Sequence, residues 1–444
     1  GDEAGTIEAV LESLADKSLV WHDRAEGATH RFAMLETIKE YGIEKLEQSG
    51  EAGMVLTRQA QFFADLAEQA EQQLRGPEQA AWLDRLEAEH SNLRALLDRL
   101  VSAGDFVSSL RIAGPLWRFW FVRGYLTEGR QHLSNILSMD FGTPLDRLPE
   151  EVKPAWAKAL NGAGILAGAQ GDYEASKALF RQGLALERDL GNKASVAGLL
   201  SNLGNISRAQ GNLAEARALQ EESLAQREAL GDKRGIALSL SNLGNVALDQ
   251  EDYAASWEFQ ERSLHLLEEL GDLGGVASSL NNLGAVAYEQ KEYARAREFY
   301  ERSLHYRREI GDKHGIALAL CNLGEVSLNA SDKGRARQLF AESIEIMAAI
   351  GDKQGTILCL QGYARVNAAE GQGEKSAVLW GAVDAARELL GSASLSPAAR
   401  LENDRLANTA REQLGESAWS AAWERGRRMT LQEAIAYTKI DDGR

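Results

Sequence analysis

Apolar and polar positions follow the period of an α-helix along most of this chain. From about residue 154 to residue 371, apolar and small residues recur three and four positions apart in runs of roughly 17 residues, and a helix of that length is about 25 Å long. One run places Leu240, Leu243 and Ala247 on a single face. Val and Ile are sparse and do not cluster as strands require. The pattern predicts an almost wholly helical, all-α protein.

The runs are copies of one unit that returns every 40 residues. A Gly followed by Asp or Asn recurs in one column, at Gly191, Gly231, Gly271, Gly311 and Gly351. Gly ends a helix because it adopts the left-handed conformation at little cost, and Asp or Asn caps the next helix. A second turn lies midway, in "QGDY", "QGNL", "QEDY" and "QKEY". Each copy is therefore helix, turn, helix, turn, and the copies predict a superhelical solenoid.

Glycine also recurs inside the first helix of each copy, where it costs about 1 kcal/mol against alanine. The column is Gly164, Gly204, Gly244, Gly284 and Gly324. Close approach of the partner helix would offset that cost, and small residues such as Ser176 and Ser256 are expected to face these glycines.

At these positions the sequence resembles the tetratricopeptide repeat. The family order is Leu-Gly in the first helix, a turn glycine, Tyr, a small residue and an aromatic residue. Phe180, Tyr300 and Phe340 fill the aromatic column, whereas Gln220 and Gln260 depart from it. The sequence predicts six copies over residues 154–372, with the first and last degenerate.

The chain outside the copies divides into three further segments. Residues 53–153 are predicted to be a divergent helical region similar to the repeats, and residues 373–444 a helical cap for the last apolar face. Residues 1–52 read as helix, β-hairpin around Gly27, and helix. This segment, "DKSLV…HRFAMLETIKEYGIEKLEQSGE", resembles the winged helix that ends the nucleotide-binding core of bacterial STAND ATPases of the NB-ARC type.

The resemblance implies the C-terminal sensor arm of a STAND-type transcriptional regulator. The chain contains no Gly-x-x-x-x-Gly-Lys-Ser/Thr stretch, the loop that cradles a triphosphate. We therefore expect a C-terminal fragment without its own cofactor, with ATP or ADP bound only by an upstream nucleotide-binding domain. In related proteins a Met-His-Asp motif contacts ADP, but Met34, Leu35 and Glu36 stand at those positions and the histidine is absent.

Composition narrows the classes of partner. The net charge of −17 repels phosphate backbones, so we expect no nucleic-acid binding by this chain. Only Cys321 and Cys359 are present, which fits a reducing cytoplasm. The most apolar stretch is too short to cross a bilayer, and no His or Cys spacing indicates a metal site. We expect a cytoplasmic protein that is not itself an enzyme.

An asparagine precedes Leu-Gly in four successive copies, although Asn inside a helix is about 0.5–0.7 kcal/mol worse than Ala. In tetratricopeptide repeats this part of the first helix lines a concave groove, and asparagines there bind peptide backbones. The resemblance implies a ligand or peptide site; a ladder between neighbouring repeats, or inheritance without a role, are the alternatives. The residues predicted to line the groove are Asn202, Asn205, Arg208, Ser241, Asn242, Asn245, Asp249, Asn282, Tyr288, Glu289, Asn322, Glu325 and Arg365.

The leading hypothesis is a sensor that binds a peptide, a protein or a small inducer in the groove and thereby controls the upstream nucleotide-binding domain. The parent protein could form oligomers on activation. The alternative is a free-standing adaptor scaffold for protein–protein interaction. An enzyme acting alone is the third hypothesis, and no catalytic set of residues supports it.

Overall fold

Helices dominate the computed structural model, which describes residues 2–23, 31–74, 78–139, 149–390 and 397–439. These residues form 22 helices and two short strands. In chain order the elements are α1 (Asp2–Asp16), β1 (Trp21–Asp23), β2 (Arg31–Ala33), α2 (Glu36–Ser49), α3 (Ala52–Gln73), α4 (Gln79–Ala88), α5 (His90–Ser102), α6 (Phe106–Arg123), α7 (Leu126–Leu137), α8 (Lys153–Ala169), α9 (Tyr173–Asp189), α10 (Lys193–Ala209), α11 (Leu213–Leu230), α12 (Lys233–Asp249), α13 (Tyr253–Glu269), α14 (Leu273–Glu289), α15 (Tyr293–Glu309), α16 (Lys313–Asn329), α17 (Lys333–Ala349), α18 (Lys353–Ala369), α19 (Gly373–Leu389), α20 (Pro397–Leu414), α21 (Glu416–Arg427) and α22 (Leu431–Thr438).

The chain divides into two compact units, residues 1–63 and residues 64–444. In the first unit, β1 and β2 pair antiparallel between α1 and α2, with Trp21 opposite Ala33. The predicted hairpin strands are thus present, while its tip at Gly27 lies outside the described residues. The comparison of this unit with a winged helix stays a prediction.

Among the described residues of the second unit, six successive helical hairpins run from α8–α9 to α18–α19. We name the first helix of each hairpin the A helix and the second the B helix. Every A helix has 17 residues, which confirms the predicted length. The helices α6 and α7 precede the first hairpin in the chain and pack against its A helix, α8. The helix α19, which the sequence places in the cap, follows α18 through a turn at Gly371.

The turns between hairpins have the predicted chemistry. Gly231 adopts φ 66° at the end of α11, and the Asp232 side chain accepts a hydrogen bond from the Gly235 amide at 2.9 Å, which caps α12. The turns inside three hairpins instead place a residue other than glycine at positive φ. Glu251 and Lys291 have φ of 60° and 63°, a conformation that costs L-residues roughly 1 kcal/mol.

The mid-helix glycines admit a large B-helix side chain. A Cβ added at Gly284 would lie 2.7 Å from the Tyr300 ring, and one at Gly244 would lie 2.5 Å from Gln260 Nε2. Ser256 also donates a hydrogen bond to the Gly244 carbonyl at 2.8 Å. The predicted close approach is confirmed, but the closest contacts come from the aromatic or Gln column rather than from the small residues.

After the hairpins, α20, α21 and α22 pack on α19 and α18. Trp380 and Val383 of α19, together with Trp419 and Ala422 of α21, are buried in this region. The apolar face of the last hairpin is therefore covered, as a solenoid end requires. Among the described residues, no helix combines the length and apolar character needed to cross a bilayer.

Candidate functional site

The four column asparagines join successive A helices through their side chains. Each donates from Nδ2 to the side chain that lies 41 residues earlier in the chain. The pairs are Asn202 with Asn161 (2.8 Å), Asn242 with Ser201 (2.8 Å), Asn282 with Ser241 (2.9 Å) and Asn322 with Asn281 (2.8 Å). We name this row of hydrogen bonds the amide ladder.

The amide ladder leaves acceptor capacity unused. The Oδ1 atoms of Asn202, Asn242 and Asn282 accept no hydrogen bond from the described residues. These side chains are half-buried, so the free oxygens are not sealed inside the protein. An amide oxygen of this kind can accept from a peptide N–H. The inter-repeat ladder that the sequence left as an alternative is thus present, and it remains compatible with a ligand.

Two fully buried glutamines extend the ladder into the protein core. Gln220 and Gln260 are 0% exposed and stand where other repeats place an aromatic ring. Gln260 donates to the Ser241 carbonyl at 2.9 Å and to Asn245 Oδ1 at 3.2 Å. Gln220 makes the equivalent hydrogen bonds to the Ser201 carbonyl and to Asn205. The departure from the aromatic column is therefore a satisfied polar network.

The remaining residues predicted to line the groove are mostly paired with one another. Arg208 and Asp249 form an ion pair at 3.0 Å, Asn329 donates to the Tyr288 hydroxyl at 2.7 Å, and Arg365 pairs with Glu325. Glu289 is exposed and also has a polar partner. A ligand would meet these side chains already engaged between neighbouring A helices.

Burial changes the ionisation of two of these groups. It raises the pKa of Tyr288 to about 12, and the negative charge of Glu325 adds to that shift. Burial also raises the pKa of Glu325, while the guanidinium of Arg365 opposes this shift. The Glu325–Arg365 pair is therefore a coupled unit rather than two independent binding groups.

A cavity of about 560 Å³ opens on the A helices near α6. It brings together Asn202, Asn205 and Asn242 of the predicted site, whereas the other predicted residues do not line it. The other lining residues that bear on chemistry were not predicted from the sequence; they are Glu71, Trp117, Lys158, Asn161, Glu187, Arg227 and Leu238. One signal was available: Arg227 stands in a column that holds Leu267 and Met347 in other repeats.

Lys158 and Glu71 neutralise each other at the edge of this cavity, with their charged atoms 2.7 Å apart. Within the described ranges, no cluster of three or more His, Cys, Asp or Glu residues could hold a metal ion. The chemistry that the cavity offers is thus hydrogen bonding by amides, contact with the Trp117 ring, and the charges of Glu187 and Arg227.

Curated proteins of Mycobacterium tuberculosis and Mycobacterium bovis share part of this sequence. They bear the name "Putative HTH-type transcriptional regulator" and are 36% identical to this chain over 127 residues. The match covers 29% of this chain and 14% of the length of each relative.

A solved structure of a Rap protein resembles this chain in fold. A Rap protein complexed with Competence and Sporulation Factor aligns with a TM-score of 0.53 and 12% identity, over 85% of this chain and 99% of the Rap chain. The apo form of RapI aligns with a TM-score of 0.47 and 12% identity, over 61% of this chain and 96% of its own. At such identities the likeness concerns the fold alone.

The family model of the tetratricopeptide repeat matches residues 195–269 and 275–349. These two stretches run from α10 to α17 and contain four of the six hairpins. The chain therefore contains tetratricopeptide repeats, and its helical array is a solenoid of that type.

Proposed function

We propose that this chain is the sensor arm of a larger signal-transducing regulator, and that its A-helix face binds a peptide or a protein segment. The observation that carries the proposal is the amide ladder, which presents free Oδ1 acceptors of Asn202, Asn242 and Asn282 in register along successive repeats. An extended peptide offers N–H donors at regular intervals, so a row of amides suits it.

Two comparisons support this proposal. The Rap protein that shares the fold is complexed with Competence and Sporulation Factor. The mycobacterial relatives are named as HTH-type transcriptional regulators and extend far beyond the matched segment. The parent that we propose has a STAND-type nucleotide-binding core ahead of residues 1–52, and this chain supplies binding rather than catalysis.

Replacing both Asn242 and Asn282 with alanine is expected to weaken peptide binding at least about tenfold with little loss of stability. Each substitution removes one short hydrogen bond to a serine hydroxyl, worth about 1 kcal/mol, and a longer one to a buried glutamine. The higher helix propensity of alanine offsets about 0.5–0.7 kcal/mol of this loss. The full chain would be used to select peptides from a random library displayed on phage. The affinity of the selected peptides and the thermal midpoint would then be measured for both proteins.

Asn92→Ala combined with Asn135→Ala is the matched control, because these helical asparagines lie in α5 and α7, outside the ladder. The control should bind the selected peptides like the unchanged chain. If the ladder variant loses stability but keeps its affinity, the ladder only holds the repeats together. The proposal also fails if the library yields no peptide that binds the chain.

The regulator and adaptor hypotheses differ in what ligand binding does to nucleotide exchange. In a polypeptide that carries a nucleotide-binding core ahead of Gly1, the selected peptide is expected to change the rate at which a fluorescent ADP analogue is released. An adaptor would leave that rate unchanged. Stopped-flow measurement with and without peptide separates the two hypotheses.

A further inference from the structure

Two buried charged groups of the 560 Å³ cavity lack an ion-pair partner among the described residues. Arg227 of α11 and Glu187 of α9 are each 7% exposed, and both line the cavity. They occupy the same column in successive repeats, but neither forms an ion pair with a described residue, and Asp232 acts on Arg227 only from a longer distance. Burying an uncompensated charge is costly, so both groups point to a ligand that supplies what is missing.

The chain itself contains a matched comparison for Arg227. Arg307 stands in the same column two repeats later, and all of its guanidinium nitrogens are engaged. Its Nη1 pairs with Asp312 at 2.7 Å, while Nε and Nη2 contact Ser303 and Ser278. Arg227 Nη1 donates only to the neutral Gly235 carbonyl and Ser239 hydroxyl.

The Nε and Nη2 donors of Arg227 therefore have no partner among the described residues, and they are not fully buried, so a ligand in the cavity can reach them. Burial lowers the pKa of this guanidinium, and Asp232 offsets the shift only in part. Apolar side chains fit the same place in other repeats, where Leu267 lies against Gly275 and Met347 against Gly355. Packing thus does not require an arginine here. Asp232 holds the position of Asp312 and acts on Arg227 from beyond ion-pair distance, so the guanidinium can still take an anionic partner.

The carboxyl group of Glu187 requires a hydrogen-bond donor rather than an anion. Its Oε2 atom is buried and receives no hydrogen bond from any residue that the structure describes. Burial raises the pKa of the carboxyl, which the Asn192 and Ser195 side chains lower in part. A ligand that donates a hydrogen bond here, such as a peptide N–H, would satisfy it.

The other walls of the cavity suit a peptide. Asn161, Asn202 and Asn242 supply amides that match backbone groups, and Trp117 and Leu238 supply apolar surface. The volume lies within the range of roughly 300–1,000 Å³ that is usual for ligand sites. Besides the Lys158–Glu71 ion pair, the lining thus combines one cation, one carboxyl group, backbone-matching amides and an aromatic wall.

We propose that this cavity is the anchoring subsite of the groove and that it takes an acidic side chain of a bound peptide, whose carboxylate pairs with Arg227. The inference rests on the proposed peptide-binding function and adds the chemistry of the ligand. A planar guanidinium binds a carboxylate through two parallel hydrogen bonds. The net charge of −17 and the nearby Glu187 disfavour a doubly charged phosphate or a polyacidic segment, so the ligand has one carboxylate at this point.

The test uses two synthetic pentapeptide pools and the full chain. One pool has Asp or Glu fixed at the central position, the other has Asn or Gln there, and the remaining positions are random and free of acidic residues. Retention after equilibrium dialysis is measured by mass spectrometry. We expect about tenfold stronger retention of the acidic pool, because a charge-assisted pair replaces a neutral hydrogen bond.

Arg227→Met should abolish this preference while its thermal midpoint stays equal or rises, because an unpaired buried charge is removed. Arg307→Met is the matched control: it should keep the preference and lower the midpoint, because Asp312 loses its partner. Arg227→Lys keeps the positive charge but cannot form the two parallel hydrogen bonds of a guanidinium. An intermediate preference for the acidic pool is expected.

The outcomes separate this inference from the proposed function. Equal retention of both pools, or an unchanged preference in Arg227→Met, overturns the acidic anchor. If the double Asn242→Ala and Asn282→Ala variant then still loses both pools, peptide binding in the groove stands without it. If neither pool is retained better by the unchanged chain than by that double variant, both proposals fail.

Discussion

Replacing Gly426 with alanine is expected to destabilise the C-terminal helices by about 3 kcal/mol or more. A Cβ at Gly426 would lie 1.8 Å from the carbonyl oxygen of Val378, and a Cβ at Gly381 would lie 2.0 Å from that of Trp423. Both obstacles are backbone atoms of the facing helix, so no side chain can rotate away. The helices α19 and α21 would have to separate, which would expose Trp419 and Ala422.

Urea unfolding followed by tryptophan fluorescence measures this effect, because Trp380, Trp419 and Trp423 lie at or beside the contact. Gly334→Ala is the matched control, since Gly334 is a helical glycine with nothing within 4 Å of an added Cβ. It should raise stability by about 0.5–1 kcal/mol. Equal midpoints for the Gly426 variant and the unchanged chain would mean that α19 and α21 do not touch in solution.

Much of the solenoid could be predicted because its signals are local. The Gly-Asp pair at Gly231 and Asp232 combines a left-handed helix end with a cap for the next helix, and both depend only on neighbouring backbone atoms. The period then places the same pair at every repeat. Helix lengths and hairpin order followed from these turns.

The contacts between repeats could be predicted only in kind. The glycine column indicated close approach, but the partner of Gly244 is Gln260 and the partner of Gly284 is Tyr300. The close approach of α19 and α21 at Gly381 and Gly426 joins helices that share no repeat pattern. Sequence spacing gives no account of such pairs, because they depend on how two separate helices cross.

The candidate site, too, could be predicted only in part from the sequence. The asparagine column was visible, and its unusual position inside a helix was a valid signal of a polar role. The cavity was not visible, because the column that contains Glu187 and Arg227 lies on B helices, whereas the predicted groove is lined by A helices. Whether Arg227 is paired, as Arg307 is, depends on side-chain conformations that the sequence does not encode in a visible pattern.

Replacing Arg365 with methionine is expected to lower the free energy of unfolding by about 3 kcal/mol at pH 8. This is among the larger effects expected of a single substitution on the A helices. Its partner Glu325 is mostly buried, with 23% of the side chain exposed, and would keep its charge without a counter-ion. Breaking one side of a buried pair is more costly than the pair is worth, because the remaining charge stays desolvated.

The cost should fall as the pH is lowered. Burial already raises the pKa of Glu325, and Arg365 is the group that opposes the shift. Without Arg365 the folded-state pKa rises further above the unfolded value of about 4.3. An acid with a raised folded-state pKa binds its proton more tightly in the folded state than in the unfolded state. Its contribution to the free energy of unfolding is therefore largest below the unfolded-state pKa. This contribution is lost as the pH rises from the unfolded-state pKa to the folded-state pKa. The stability of the Arg365→Met variant should therefore be closer to that of the unchanged chain at pH 5 than at pH 8.

Tyr288, with a pKa of about 12, stays neutral across this range and does not confuse the measurement. Hydrogen exchange of the α16 and α18 amides at both pH values, corrected for intrinsic exchange rates, reports the local stability.

Combining Glu325→Gln with Arg365→Met should recover most of the lost stability and remove its pH dependence. Arg208→Met breaks the more exposed pair with Asp249 and should cost less than about 1 kcal/mol. A pH-independent loss in Arg365→Met would show that Glu325 is not the group left uncompensated, and that Arg365 acts through packing alone.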